Sequence, residues 1–267
     1  MITAWWCSDL DARTLISNVL VLAPWTGGQE PRKVLALDID TTTFRPEDNG
    51  VIWQLGMSAA YSHPDRLEYI DVRRNMRIKV PVGSFVGSLE TQRRAAYMDG
   101  NEAAACAALD TESEELGIDI GEAMGRIKEY AQRGDIVVCS QTLTTFDIPW
   151  MEKNGGPWLN TVRNIFDTGM LLKSAAIPTL VLPGETDVQF YERIDSRAMS
   201  MRYSVDGFVL PKLSAVGMIE VPHGPPGTPG WRNAGFDSYA SLRMMQEIRQ
   251  MCYQFVTEVS SGAYVNS

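Results

Sequence analysis

The sequence predicts an α/β domain whose mixed sheet opens with three antiparallel strands, continues with parallel strands and is flanked by helices. Three observations lead there. The run Lys33-Val34-Leu35-Ala36-Leu37 is nearly continuous in apolar residues and fits a strand buried on both faces. Two further strand-like runs, Val51 to Met57 and Leu67 to Val72, come next, separated by the polar turn Ser62-His63-Pro64-Asp65, as in an antiparallel meander. Beyond residue 88, helical patterns interleave with the short apolar runs Ile136 to Cys139 and Asn164 to Thr168.

In chain order, residues 1–32 read as an N-terminal lead-in. Its apolar run Leu15 to Leu22 ends in the turn-rich stretch Pro24-Trp25-Thr26-Gly27-Gly28 and adds a strand or a helix to the core. Residues 33–258 form the main domain. A long helical region is expected from about Ser88 to Ala108. A second helix starts at Asp119, a suitable N-cap, with Ile120, Met124, Ile127 and Tyr130 along one face. After the turn Arg133-Gly134-Asp135 comes the strand Ile136 to Cys139, then polar residues and Phe146-Asp147 opening a helix. Asn164 to Thr168 reads as a short strand turning into a helix, capped by Asp167 or Thr168. Residues 178–230 form an insertion and loop-rich part that includes the Pro/Gly-rich stretch Pro222 to Gly230. The last helix runs from about Ala234 to Val256, with Leu242, Met245, Ile248, Cys252 and Phe255 as a core stripe, and residues 259–267 form a tail.

A chain of 267 residues with 45% apolar composition has enough material for a packed core. Its net charge of -9 argues against a general basic coat for nucleic acid, since phosphate affinity comes largely from Lys and Arg. A local basic strip beside cation-binding carboxylates is compatible with that charge. Cys7, Cys106, Cys139 and Cys252 form no CxxC pair, so they read as buried free thiols rather than a zinc or redox motif. No basic segment followed by a long apolar core opens the sequence, and no run of about 18 apolar residues occurs. The expectation is a cytoplasmic protein without membrane association, and a viral protein working in a host cell fits equally.

The acids carry the chemistry. Side chains alternate along a strand, so Asp38 and Asp40 point to the same side of the first strand's end. Asp147 stands at a strand-to-helix junction, and Asp237 in the first turns of the last helix. Three distant segments thereby bring carboxylates to one edge of a sheet. Two-metal phosphodiester hydrolysis needs such convergence on cations roughly 3.5–4 Å apart. Oxygen ligands of this kind suit two Mg²⁺ or Mn²⁺ ions. Each acid also has a plainer reading: strand-end polar groups for Asp38 and Asp40, a helix cap for Asp147, and a first-turn acid favoured by the helix dipole for Asp237.

In order and setting, these segments resemble the DEDD, or DnaQ-like, 3′–5′ exonucleases, most nearly the phage exonuclease A type. Leu37-Asp38-Ile39-Asp40-Thr41-Thr42-Thr43 is similar to the first motif, a strand ending in Asp-x-Glu. Gly87-Ser88-Leu89-Glu90-Thr91-Gln92-Arg93-Arg94 is similar to the segment that opens the first helix of the phage enzymes. Thr145-Phe146-Asp147-Ile148-Pro149 resembles the Phe-Asp of the second motif, and Asp167-Thr168 the structural pair that comes after it. Lys212 to Gly217 resembles the short helix before the third motif, which Arg232 to Ala240 resembles in turn. The resemblance spans about Lys33 to Tyr253. It implies a ribonuclease H-like fold and a metal-dependent exonuclease acting on the 3′ end of single-stranded DNA or RNA, releasing nucleoside monophosphates. Asp38, Asp40, Asp147 and Asp237 would hold the metals, and Thr41, Thr42, Phe146 and Arg93 would contact the substrate.

The pattern departs from the family at the site. Asp40 stands where the family has Glu, the Asn usual before Phe-Asp is absent, and Arg232 occupies the place of the His that serves as general base. A guanidinium cannot take a proton at neutral pH, and Asn233 stands where the family's tyrosine variant would have its Tyr. Two readings compete. Either the metals act with a displaced base, for which His223 on the Pro/Gly-rich loop is the available substitute, or the scaffold is catalytically decayed. A decayed module would bind a nucleic-acid end, or a host or replication protein, without cutting. His223 also reads as an ordinary loop histidine and His63 as a turn residue. Trp53, Trp150 and Trp231 lie near the motifs and either stack a base or pack. Arg93 and Arg94 either reach the substrate backbone or form a solvated helix face.

Overall fold

The apolar run at residues 33–37 lies inside a longer strand, β1 (Arg32–Thr41), in the middle of the sheet. The computed structural model describes residues 16, 19–21, 23–43, 45–131, 136–140, 143–155, 164–167, 184–186, 188–189 and 234–261. Among these, β2 (Ile52–Ser62) pairs antiparallel with β1 and β3 (Leu67–Arg77) pairs antiparallel with β2. On the other side of β1, β4 (Ile136–Ser140) and β5 (Asn164–Asp167) add in parallel. The order is β3-β2-β1-β4-β5, an α/β arrangement with a mixed sheet.

Five helices accompany the sheet among the described residues: α1 (Leu89–Ala95), α2 (Glu102–Leu116), α3 (Ile120–Ala131), α4 (Ile148–Gly155) and α5 (Ala234–Ser260). Strand alternation sorts the core into two layers. Val34 and Ala36 of β1 join Val137 and Cys139 of β4 under α5, packing on Leu242, Met245 and Ile248. Leu35, Leu37 and Ile39 face the other way, with Val138, toward Met124 and Ile127 of α3 and Trp150 of α4. The predicted N-cap of α3 is present: Asp119 Oδ1 accepts from the Gly121 N–H at 2.7 Å.

Several boundaries differ from those the sequence predicts. The single helix expected from Ser88 to Ala108 is two helices, because the chain turns at Asp99 and Gly100, both at positive φ (52° and 77°). Asn101 then restarts the helix, its side chain accepting from the Ala104 N–H at 3.0 Å. The second segment runs on to Leu116. β2 and β3 are each longer than the apolar runs suggested, and the last helix reaches Ser260, so residues 259–260 belong to it rather than to a tail.

The length of β2 has a packing reason. Its residues on the α5 side are Gly56, Ser58, Ala60 and Ser62, opposite Asp38, Ala36, Val34 and Arg32 of β1. Small side chains let α5 lie close, and polar bonds lock it: Ser58 Oγ to Ser238 Oγ at 3.0 Å, and Ser62 Oγ donating to Gln246 Oε1 at 2.6 Å. Arg249, wholly buried, donates to the Ser62 carbonyl and hydroxyl and to the carbonyls of Gly28 (3.2 Å) and Glu30 (2.5 Å). It thereby ties α5 to the β2–β3 turn and to the end of the lead-in. Ile16 and Val19 of the lead-in are buried in the same layer.

Candidate functional site

Asp38 and Asp40 are among the last four residues of β1, on the side of the strand that Val34 and Ala36 present to α5. The neighbour of Asp38 in β2 is Gly56. A Cβ there would lie 1.8 Å from the Ala234 carbonyl oxygen, so the start of α5 rests directly on the sheet at this row. Ser238, one turn on, bonds to Ser58 opposite Ala36. Asp237 therefore sits in the turn of α5 that descends beside the acid end of β1. The helix runs antiparallel to the strand, with its positive N-terminal end toward the carboxylates.

Asp147 is placed by another device. A π-helical turn, Leu143–Asp147, follows β4 and adjoins β1 before α4 begins. Asp147 is 1% exposed, and its Oδ2 accepts from the Ser140 hydroxyl at 2.7 Å. Asp167 is structural, as expected, and the helix it was expected to cap lies outside the described residues. Its Oδ2 accepts from the Thr144 N–H (2.8 Å) and hydroxyl (2.6 Å), tying β5 to the turn that carries Asp147.

A cavity of about 690 Å³ opens at the end of β1. Asp40, Thr41, Thr42, Phe146 and Arg93, five of the residues singled out from sequence, line it together with Trp53, Arg45 and Glu90. Register shifts between Asp40 and Thr41 where β1 meets β2, a bulge that re-aims the side chains at the cavity rim. The Thr42 hydroxyl accepts from the Val51 N–H at 3.0 Å and Thr41 Oγ1 donates to the Thr43 carbonyl at 2.6 Å, so both fix the loop leaving β1. Asp38, Asp147 and Asp237 are not part of this lining. A second cavity of about 680 Å³, between α1 and α2, holds Tyr97, Met98 and Leu116 and none of the predicted site residues except Arg94.

Behind the first cavity runs a charged network that sequence reasoning did not reach. Glu112 of α2 pairs with both Arg77 of β3 and Arg94 of α1, the latter at 2.8 Å. Arg94 is thus an ion-paired buried residue and not a solvated one. The Arg77 guanidinium lies 5.9 Å over the Trp53 ring. Burial pulls Arg77 below its ordinary pKa and nearby Arg94 adds to this, while Glu90 and Asp40 pull it back up. Burial likewise lowers Arg94, with Glu90 opposing. Glu90 itself is buried in the first turn of α1. Its sequence signal was present in the segment Gly87 to Arg94, whereas Arg77 and Glu112 stand in no motif.

Trp53 and Trp150 are core residues, 5% and 0% exposed, although Trp53 also borders the cavity. His63 makes a 3.4 Å contact with Glu68 in the β2–β3 turn. His223, Arg232, Asn233 and Trp231, the segment Lys212 to Gly217 and most of residues 178–230 lie outside the described residues. Among the described residues, no three His, Cys, Asp or Glu side chains are gathered into a group that could hold a metal ion. The acids of the β1–α5 corner are all-oxygen donors of the kind that suits Mg²⁺ or Mn²⁺. Among the described residues no helix is long and apolar enough to cross a membrane. No protein-family model matches the chain, and no curated protein matches it.

Proposed function

We propose that the chain is a metal-dependent 3′–5′ exonuclease of ribonuclease H-like fold, which takes a 3′ end of DNA or RNA and releases nucleoside monophosphates. One observation carries this reading: Asp38 and Asp40 end the central strand of a mixed sheet, and the helix bearing Asp237 is seated on Gly56, directly opposite Asp38. The strand directions, three antiparallel and then two parallel, also agree with that fold. Asp38, Asp40 and Asp237, with Asp147 from the neighbouring turn, are the residues that would hold two Mg²⁺ or Mn²⁺. Such ions, when bound, activate water and stabilise a leaving oxygen. The cavity beside Asp40 supplies the remaining parts. Arg93 and Arg45 offer charge-assisted donors to phosphate, and Phe146 offers an aromatic surface to a base.

A second reading, an exonuclease-like module that binds a nucleic-acid end or a protein without cutting, is favoured by Asp147. Its carboxylate is sequestered with Ser140 inside the core instead of facing the cavity.

One experiment separates the two. Purified protein is incubated with Mg²⁺ or Mn²⁺ and 3′-labelled single- and double-stranded DNA and RNA, with Asp38→Ala as control, and released monophosphate is measured by chromatography. Release that is lost in Asp38→Ala supports the enzyme. In parallel, saturating Mn²⁺ stabilises the wild type by about 2.7 kcal/mol at a hundred times Kd, and Asp38→Ala by much less. A wild type that releases nothing from any substrate, with either metal, removes the exonuclease reading. Full-length binding without release then supports the second one.

A further inference from the structure

The second cavity, between α1 and α2, is built from surfaces that the domain core does not use. α2 buries Ala105, Leu109 and Ser113, which turns another stripe, Ala108, Thr111, Glu112 and Glu115, toward the cavity. Ala107, Ala108 and Thr111 are too short to fill it, so a volume of about 680 Å³ is left for side chains from elsewhere. Two large apolar side chains on its wall are exposed, Tyr97 to 57% and Leu116 to 60%, with Met98 beside them. A single exposed apolar residue is ordinary, but two on the wall of a cavity this size mark a place for another molecule.

Charge narrows the choice of that molecule. At the floor Glu112 pairs with Arg94 at 2.8 Å and with Arg77, and buried Glu90 acts on the same two guanidiniums, so they are balanced by two carboxylates. The rim is negative. α2 carries five acids, Glu102, Asp110, Glu112, Glu114 and Glu115, and no basic residue, and only Glu114 is offset from outside the network, by Lys79 at 2.6 Å. Glu115 lines the cavity itself, and Asp99 is exposed in the turn after Met98. Nucleic acid would bring its phosphates against these carboxylates, and a second copy of the chain would bring the same acids and a net charge of -9. A protein segment that combines apolar with basic side chains meets neither repulsion. We propose that the groove between α1 and α2 is a docking surface for a basic amphipathic helix of a partner protein. The apolar side chains of that helix enter the cavity against Tyr97, Met98 and Leu116, its Lys or Arg side chains lie over Glu115, and the short side chains of α2 let the two helix axes approach closely. The surface is independent of the 3′-end reading of the first cavity, and either outcome of the nuclease assay leaves it standing.

The probe is a fluorescein-labelled helical peptide of leucine and lysine, with leucines at i, i+3, i+4 and i+7, titrated with the full chain and read by anisotropy. Its counterpart carries glutamate in place of each lysine. Wild type binds the lysine peptide and not the glutamate one. The double substitution Tyr97→Ser/Leu116→Ser, whose melting temperature checks that these exposed changes leave folding intact, weakens the lysine peptide about tenfold or more. Glu115→Lys weakens it about fivefold or more, whereas Glu258→Lys, the same reversal at an exposed position in the last turn of α5, changes it less than about twofold. A lysine peptide that does not bind, or that binds the folded double variant as well as wild type, overturns the proposal. So does a Glu258→Lys loss equal to that of Glu115→Lys, which would make the binding a general attraction to the acidic chain. Equal binding of the glutamate peptide removes the basic partner. If sedimentation instead shows the wild type self-associating and the double variant monomeric, the groove is an interface between copies and the proposal is wrong.

Discussion

Replacing Gly56 by Ala tests whether the start of α5 is seated on the acid end of β1. Alanine ordinarily stabilises a strand or helix over glycine, by roughly 0.5–1 kcal/mol, because glycine loses more backbone freedom on folding. At Gly56 the sign reverses. The added methyl would lie 1.8 Å from the Ala234 carbonyl oxygen, 2.0 Å from its carbon and 2.5 Å from the Gly235 nitrogen, all of them backbone atoms. Ordinary contact begins at 3.4 Å, so the first turn of α5 must retreat by about 1.6 Å. Overpacking of this kind costs about 2–3 kcal/mol, and the helix cannot swing freely because Ser238 and Arg249 pin it to β2. If the proposed enzyme is right, a shift above 1 Å in Asp237 lowers turnover by about a hundredfold. Urea unfolding of Gly56→Ala measures the first effect and monophosphate release the second. Gly125→Ala is the matched control: it lies in α3 with nothing within 4 Å of the new methyl and should gain about 0.5–1 kcal/mol. A Gly56→Ala protein as stable as wild type would refute the seating of α5 on this row.

Three other outcomes are expected from the buried contacts. Glu112→Gln leaves Arg77 and Arg94 without their shared carboxylate and should cost about 2 kcal/mol in denaturant unfolding, since all three side chains are largely shielded from solvent. Arg249→Met fills similar volume but strands the Ser62, Gly28 and Glu30 carbonyls, and a loss of about 3 kcal/mol is expected in the same assay. Burial raises the thiol of Cys139 well above its ordinary range and that of Cys252 to about 11. Both should stay unlabelled by iodoacetamide at pH 8 in the native state and react in urea, read residue by residue by mass spectrometry.

The parts of the fold legible in sequence were those written in a single periodicity. The apolar run at Val34 to Leu37, the stripe of Met124 and Ile127 with its Asp119 cap, and the stripe of Leu242, Met245 and Ile248 each reported an element by themselves. The far half of β2 did not, because Ser58, Ala60 and Ser62 are chosen for their small size under α5 rather than for apolar alternation. The break between α1 and α2 was hidden by alanines on its far side, though Asp99-Gly100 is a turn dipeptide. At the site, residues close to a strand end were readable from their neighbours, and Asp40, Thr41 and Thr42 share one cavity. Arg93 and Phe146 reach the same cavity from helices whose approach no local pattern encodes. The pairing of Arg77 with Glu112 joins residues 35 positions apart, and only the fold reveals it.

The bulge where β1 meets β2 can be viewed as a phase slip in a period-two signal. Ile52 and Trp53 are consecutive, yet both are buried in the layer on the α3 side, where strict alternation would send one of them to the α5 side. Everything before the slip is therefore counted on one phase and everything after it on the other. A one-residue deletion of the extra residue, Trp53, would remove the slip, restore strict alternation and leave both faces as they are, at the cost of the indole that borders the cavity beside Asp40. The same deletion farther along β2 would instead exchange the two faces on one side of the cut.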